Sequence, residues 1–207
     1  MTPLQKFRAT MLGVGGVFAM VCMIGAGLSR RSAARTADAD PRAARDLRIL
    51  GDVPAFQFHD QDDKPVTHAS LRGSPWVADF VFTGCAGPCP MMSARLRKVE
   101  QEVGALANVR VVSLTVDPAH DTSQAISEYA GHFHAEPDRW FFLTGTQDML
   151  NHLCMEGLHL SKVDGSLDHS TEFALIDSGA EIRGYYFPFE QEQFRRLIAD
   201  VRSLAGS

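Results

Sequence analysis

The sequence predicts an α/β sandwich, a mixed central sheet flanked by helices, behind an N-terminal membrane anchor. Two observations give the sandwich. The apolar runs Trp76–Phe82, Val109–Val116 and Trp140–Leu143 have the length and composition of buried strands, and helical patterns lie between them. The alternation then gives way to a terminal hairpin and a closing helix. A third observation gives the anchor: Met11 to Leu28 is a stretch of about 18 residues without a charge, near the minimum for a membrane span.

The chain has 207 residues, 45% of them hydrophobic and 22% charged, so one ordinary globular domain plus a tail is expected. A net charge of −5 counts against a nucleic-acid partner, which would show as a basic face. The apolar run at 11–28 is longer than the core of a cleaved signal, so it reads as a signal anchor. Lys6 and Arg8 precede it and Arg30, Arg31 and Arg35 follow, so charge counting alone does not orient it. Residues 29–51 are rich in Ala, Arg and Asp and read as a tether between the span and a folded domain over 52–207.

Within the domain, Pro54–His59 alternates apolar and polar side chains and Lys64–His68 follows a turn at Asp60–Asp63, which predicts a hairpin. Gly73-Ser74-Pro75 punctuates the chain before the strand Trp76–Phe82. A helix is predicted from Pro90 to about Leu106, since Met92, Leu96, Val99 and Val103 recur at helical spacing and Pro90 suits a first helical position. After the strand Val109–Val116, Asp121 and Gln124 fit an N-cap and its reciprocal partner, and Ile126, Tyr129, Ala130 and Phe133 share one face of the next helix. Trp140–Leu143 is the next strand. Gln147–Glu156 is a helix with Leu150, Leu153 and Cys154 inward, stopped by Gly157. Val163–Ser170 is polar and reads as a loop. Glu172–Asp177 and Glu181–Phe187 form a hairpin, and Phe194, Leu197, Ile198, Val201 and Leu204 mark the last helix. With two cysteines where the first core strand meets its helix, the assignment is a thioredoxin-like fold.

Those cysteines lie in Thr83-Gly-Cys85-Ala-Gly-Pro-Cys89-Pro90. A helix N-terminus favours thiolate over thiol, and a thiolate is both a nucleophile and a soft metal ligand. A plain structural disulfide is the weaker reading, since a bridge closing so short a loop adds little stability. Thioredoxin-type oxidoreductases separate their cysteines by two residues, whereas Cys85 and Cys89 are separated by three and share one side of a turn, where both sulfurs can meet one ion. Such enzymes also place a cis-proline before a late strand. Here no proline occurs from Asp138 to Phe187, and Asp168-His169-Ser170 stands before that strand. Two thiolates and an imidazole suit copper, while structural zinc generally takes four ligands. Cys22, inside the predicted span, and Cys154, on an apolar helix face, read as small hydrophobes. His120 is a secondary candidate near the site, and Met91 an exposed contact for a partner.

Three pieces together resemble the SCO/SenC family of copper-binding, membrane-tethered proteins: Phe82-Thr-Gly-Cys85-Ala-Gly-Pro-Cys89-Pro90-Met91, Ser113-Leu-Thr-Val-Asp117-Pro118 with Asp121-Thr122, and Asp168-His169-Ser170 with Phe173-Ala-Leu-Ile-Asp177. The resemblance covers roughly Pro54 to Leu204. It implies copper binding by Cys85, Cys89 and His169, and assistance in assembling the dinuclear copper centre of cytochrome c oxidase. The acceptor would be the oxidase subunit carrying that centre. It also implies residues 1–10 in the cytoplasm, a span at 11–28 in the bacterial inner membrane and the domain in the periplasm; the mitochondrial intermembrane space is the alternative. Two departures, Ala86 after the first cysteine and His120 before Asp121-Thr122, remove no ligand. The same scaffold fits a thiol–disulfide oxidoreductase working through Cys85 and Cys89 on a copper acceptor, or a copper or redox sensor. A peroxidase is disfavoured because Arg95 and Arg97 lie turns away from the motif, not where a peroxide-binding site would need an arginine.

Overall fold

The computed structural model describes residues 47–104, 108–160 and 170–206. The predicted span at 11–28, Cys22, most of the tether, and Asp168-His169 lie outside them. Among the described residues no helix is long and apolar enough to cross a membrane.

The strands are β1 (Gly51–Asp52), β2 (Gln57–His59), β3 (Pro65–Thr67), β4 (Trp76–Val81), β5 (Arg110–Thr115), β6 (Trp140–Leu143), β7 (Phe173–Ile176) and β8 (Glu181–Tyr186). The helices are α1 (His68–Leu71), α2 (Cys89–Glu102), α3 (Ser123–His132), α4 (Gln147–His152) and α5 (Gln191–Ala205). Six strands form one mixed sheet in the order β1-β8-β7-β4-β5-β6, with β4, β5 and β6 parallel and the other pairings antiparallel. β2 and β3 make a separate ribbon.

β4 is central, and all six of its side chains are buried. Alternation sends them to two cores. Trp76, Ala78 and Phe80 join Val112, Leu114 and Ile176 on the face covered by the β2–β3 ribbon, α1 and α4. Val77 and Val81 meet Met92, Leu96, Ile126 and Leu197 on the face covered by α2, α3 and α5. A parallel central sheet needs this double cover, which explains why its strands read as unbroken apolar runs.

Several local predictions are corrected. α1 is too short to show a period; Thr67 starts it, exchanging hydrogen bonds with Ser70 as a capping box. α2 begins one residue early: Pro88 is its N-cap, Cys89 its first residue and Pro90 its second. α3 is capped by Thr122, whose hydroxyl accepts from the Ala125 N–H, and not by Asp121. The helix predicted over Gln147–Glu156 is α-helical only to His152. It continues through one wide turn, Leu153–Gly157, closed by the Leu158 N–H donating to the Leu153 carbonyl. Gly157 is required there, since a Cβ would lie 2.7 Å from Pro54 Cδ.

At the β6 edge the Gln61 carboxamide behaves as a piece of backbone. Its Nε2 donates to the Trp140 carbonyl at 3.0 Å, and its Oε1 accepts from the Phe142 N–H at 2.8 Å.

Candidate metal centre

The loops that follow β4, β5 and β6 leave the same edge of the sheet, where the three parallel strands end. The β4–β7 register, Trp76 with Ile176 and Ala78 with Ala174, makes β7 begin at that edge too. This C-terminal edge is where open α/β sheets carry their sites.

The loop after β4 holds both cysteines. Its first residues are fixed by Asp121, which is buried. The Thr83 N–H donates to Asp121 Oδ1 at 3.1 Å, and the Thr83 hydroxyl donates to the same oxygen at 2.5 Å. The Thr115 hydroxyl, on β5, donates to Oδ2, and the Thr144 hydroxyl, after β6, donates to the Asp121 carbonyl at 3.0 Å. One residue thus ties together the ends of three strands beneath the cysteine loop. Past this anchor the chain turns tightly. The Cys85 N–H donates to the Phe82 carbonyl at 3.2 Å, and the Gly87 N–H donates to Cys85 Sγ at 3.4 Å.

Both sulfurs are thiols, and their side chains hydrogen-bond to each other. Cys85 is half-buried and Cys89 fully buried. The expectation that the helix end favours a thiolate at Cys89 is corrected. Burial pushes this thiol up, the hydrogen bond from Cys85 adds to that, and a backbone hydrogen bond at Phe82 offsets only part. Desolvation of a sulfur inside the apolar face outweighs the partial charge of one helix end.

Behind Cys89 lies a buried polar group that the sequence reading passed over. Asp79 is fully buried in the middle of β4, and burial raises its carboxyl to about 7. Neither oxygen finds a well-oriented donor among the described residues. Ser113, level with it on β5, offsets part of the shift: its oxygen accepts from Trp140 Nε1 at 3.0 Å, which leaves its own proton for Asp79. Ser93 of α2 and Tyr129 of α3 share a buried hydrogen bond of 2.9 Å, and burial raises the Tyr129 phenol. Negative charge on Asp79 raises both Cys89 and Tyr129, so the three groups feel one another. The signal was available: Asp79 is the one charged residue in Trp76–Phe82.

The remaining candidates separate cleanly. His120 is exposed and engaged with its neighbour, its Nδ1 lying 2.9 Å from the Asp117 carboxylate, and that contact raises its pKa. Met91 is exposed, while Met92 is in the core. Cys154 is buried, and burial pushes its thiol up to about 12, as suits an inert core residue. Among the described residues no three His, Cys, Asp or Glu side chains gather as a metal site; His169, the third predicted ligand, lies outside them.

The sequence profile of the SCO1/SenC family matches residues 51–206. The chain belongs to the SCO1/SenC family. A curated SCO1/SenC relative, the SCO1 protein homolog of Bacillus subtilis (strain 168), is 30% identical over 158 residues, covering 73% of this chain and 82% of the relative. Among solved structures, BsSco superposes with a TM-score of 0.68 at 30% identity, over 77% of this chain and 96% of that one. BsSco is described as a member of the Sco family of cytochrome c oxidase assembly proteins in which a disulfide switch was identified. ScoI of Bradyrhizobium japonicum, solved with copper bound, superposes with a TM-score of 0.62 at 23% identity, over 73% of this chain and 98% of that one, a likeness of fold. The thioredoxin-like mixed α/β architecture expected of the domain is therefore the family's own.

Proposed function

We propose that this chain is a membrane-tethered copper chaperone that takes copper on Cys85, Cys89 and His169 and helps assemble the dinuclear copper centre of cytochrome c oxidase. One observation carries the reading: Cys85 and Cys89 share a hydrogen bond on a loop that Asp121 clamps to three strand ends. Two sulfurs held so close are a donor set for one soft ion. The chain enters β7 at the same edge four residues after His169, which supports that residue as the third donor. The oxidase-assembly role attributed to BsSco, at 30% identity, supports the acceptor.

Copper here is cargo. Cys89 must lose a proton that burial holds in place, so loading couples to pH. Asp79, charged above about pH 7, works against that thiolate until a cation neutralises the sulfurs. A segment at 11–28 spanning the membrane and a tether at 29–51 would give the domain reach toward an acceptor on the periplasmic side.

A second reading has its own support. The two thiols touch and can close a disulfide, and a disulfide switch has been identified in BsSco. A thiol–disulfide oxidoreductase would attack the disulfide of a copper acceptor with the more accessible Cys85 and release the mixed disulfide with Cys89, leaving the acceptor reduced and the Cys85–Cys89 pair oxidised; a copper or redox sensor would use the same pair. The deciding experiment is an anaerobic copper titration of the reduced protein with X-ray absorption. One tightly held copper with two sulfurs and one nitrogen supports the chaperone. Absence of tight copper together with a readily reversible disulfide overturns it in favour of the oxidoreductase.

A further inference from the structure

Two neighbouring large apolar side chains stand exposed at the start of the folded domain, Ile49 at 57% and Leu50 at 52%. They lead into β1, which the strand order places at an outer edge of the sheet. The Leu50 N–H donates to the Ile182 carbonyl at 2.8 Å and the Val53 N–H to the Ala180 carbonyl at 3.0 Å, so residues 50–53 run along β8. Backbone groups of successive residues in an antiparallel ladder point to opposite sides. With Leu50 turned to β8, the peptide groups of Ile49 and Gly51 face away from it. Among the described residues no strand pairs with that outer side. An apolar edge of this kind is a template for a further strand.

The residues on this edge say which strand fits. Arg48-Ile49-Leu50-Gly51-Asp52 is self-complementary when laid antiparallel on a second copy about Leu50. Leu50 then faces Leu50, Ile49 faces Gly51, and Arg48 faces Asp52, which sets two opposite-charge pairs beside a central apolar contact. Arg48 and Asp52 are exposed, and among the described residues neither makes an ion pair. The backbone selects the same register. Ile49 and Gly51 are the residues whose groups face outward, and opposite residues of that kind exchange both N–H···O bonds. Gly51 also leaves the surface beside Ile182 open to the Ile49 opposite, since a Cβ there would lie 3.8 Å from His159 Nε2 and 3.9 Å from Ile182 Cδ1. Centring the pairing on Gly51 instead would set Leu50 against Asp52 and Arg48 against Pro54, which has no N–H.

We propose that this edge is an interaction surface for a second copy of the chain, joined β1 to β1 about a twofold axis at Leu50. The same patch serves both copies, as an isologous contact requires.

The test is disulfide trapping in the full chain, in detergent, on a background of Cys22→Ser, Cys85→Ser and Cys89→Ser that leaves only the buried Cys154. Leu50→Cys puts two cysteines face to face on the axis and should cross-link about tenfold faster than Ile49→Cys or Gly51→Cys, whose partners are displaced along the strand beyond disulfide reach. In sedimentation on the same background without the added cysteines, Asp52→Arg sets arginine against arginine twice and should weaken the dimer about tenfold. Adding Arg48→Asp to it exchanges the charges and should restore the dimer. Equal trapping at positions 49, 50 and 51, which chance encounter or association through another segment would give, overturns the pairing. So does a protein that sediments as a monomer before any substitution at 48–52, or a charge-exchanged variant that stays as weak as Asp52→Arg.

Discussion

The Thr83 hydroxyl donates to the Asp121 carboxylate at 2.5 Å, and the same carboxylate accepts the Thr83 backbone N–H. Two residues that are 38 positions apart thus hold the entrance to the cysteine loop. Thr83→Val keeps the shape of the side chain and removes one charge-assisted hydrogen bond, at a cost of about 1.5–3 kcal/mol. Asp121→Ala leaves several donors unsatisfied and is expected to cost more. Hydrogen exchange checks the mechanism: amides of residues 83–87 should exchange faster in Thr83→Val while those of β5 keep their protection. Uniform acceleration through the domain would show that the clamp is not local.

Asp79 gives a pH signature. Its folded pKa is raised by burial from 3.8 to about 7, so between those values the folded protein binds more protons than the unfolded chain. Stability contributed by the neutral acid is therefore lost as pH rises through this window, by a few kcal/mol at about 1.4 kcal/mol per unit. Asp79→Asn cannot ionise. Denaturant midpoints at pH 4.5 and 8 should favour the variant progressively at the higher pH. A difference between the proteins that does not change with pH would refute the assignment.

Accessibility separates the thiols. Cys85 is half-buried, whereas Cys89 and Cys154 are buried with thiols pushed up by desolvation. Under brief iodoacetamide treatment of the reduced protein at neutral pH, peptide mass spectrometry should find Cys85 labelled first. Equal labelling of Cys89 would mean that the loop opens on the timescale of the reaction.

The proposed ligand set predicts a pattern among variants. Cys85→Ser, Cys89→Ser and His169→Ala should each weaken copper binding sharply, and Cys154→Ser should leave it unchanged. His169→Ala binding as tightly as the parent would eliminate the third ligand.

Gly157→Ala should destabilise by about 1–3 kcal/mol in thermal or chemical unfolding, since overpacking a closed site forces side chains and backbone aside. The added methyl would meet Pro54 Cδ at 2.7 Å and Leu153 Cδ1 at 2.8 Å. A neutral result would mean that the wide turn has room to relax.

The order of strands and helices was legible because the parallel strands are buried on both faces and the helices carry one apolar stripe. Trp140–Leu143 is a strand with the predicted bounds, and α5 buries Phe194, Leu197, Ile198 and Val201 as expected. Tertiary contacts made the rest illegible. Asp121 and Thr122 are both good N-caps, and only the hydrogen bonds from Thr83, after β4, and Thr115, on β5, decide that the aspartate turns inward. The wide turn at Leu153–Gly157 depends on the approach of Pro54, about a hundred residues away, which no periodicity encodes. At the site, the cysteine pair could be located from its spacing, but its ionisation could not. A helix end is a local feature, whereas the burial of Cys89 depends on α2 closing over β4. Asp79 was hidden for the same reason, its neighbours Ser113 and Tyr129 coming from other elements.

The Gln61 carboxamide on β6 has a consequence for association. An outer strand normally offers a row of unsatisfied peptide groups to any extended segment that drifts past. Here Trp140 O and Phe142 N are already taken by a side chain of the same molecule. A visiting polypeptide cannot extend the sheet at these positions without first expelling Gln61. Recruitment of a client by strand addition is thus discouraged on this flank, and so is the runaway stacking of copies that such addition allows.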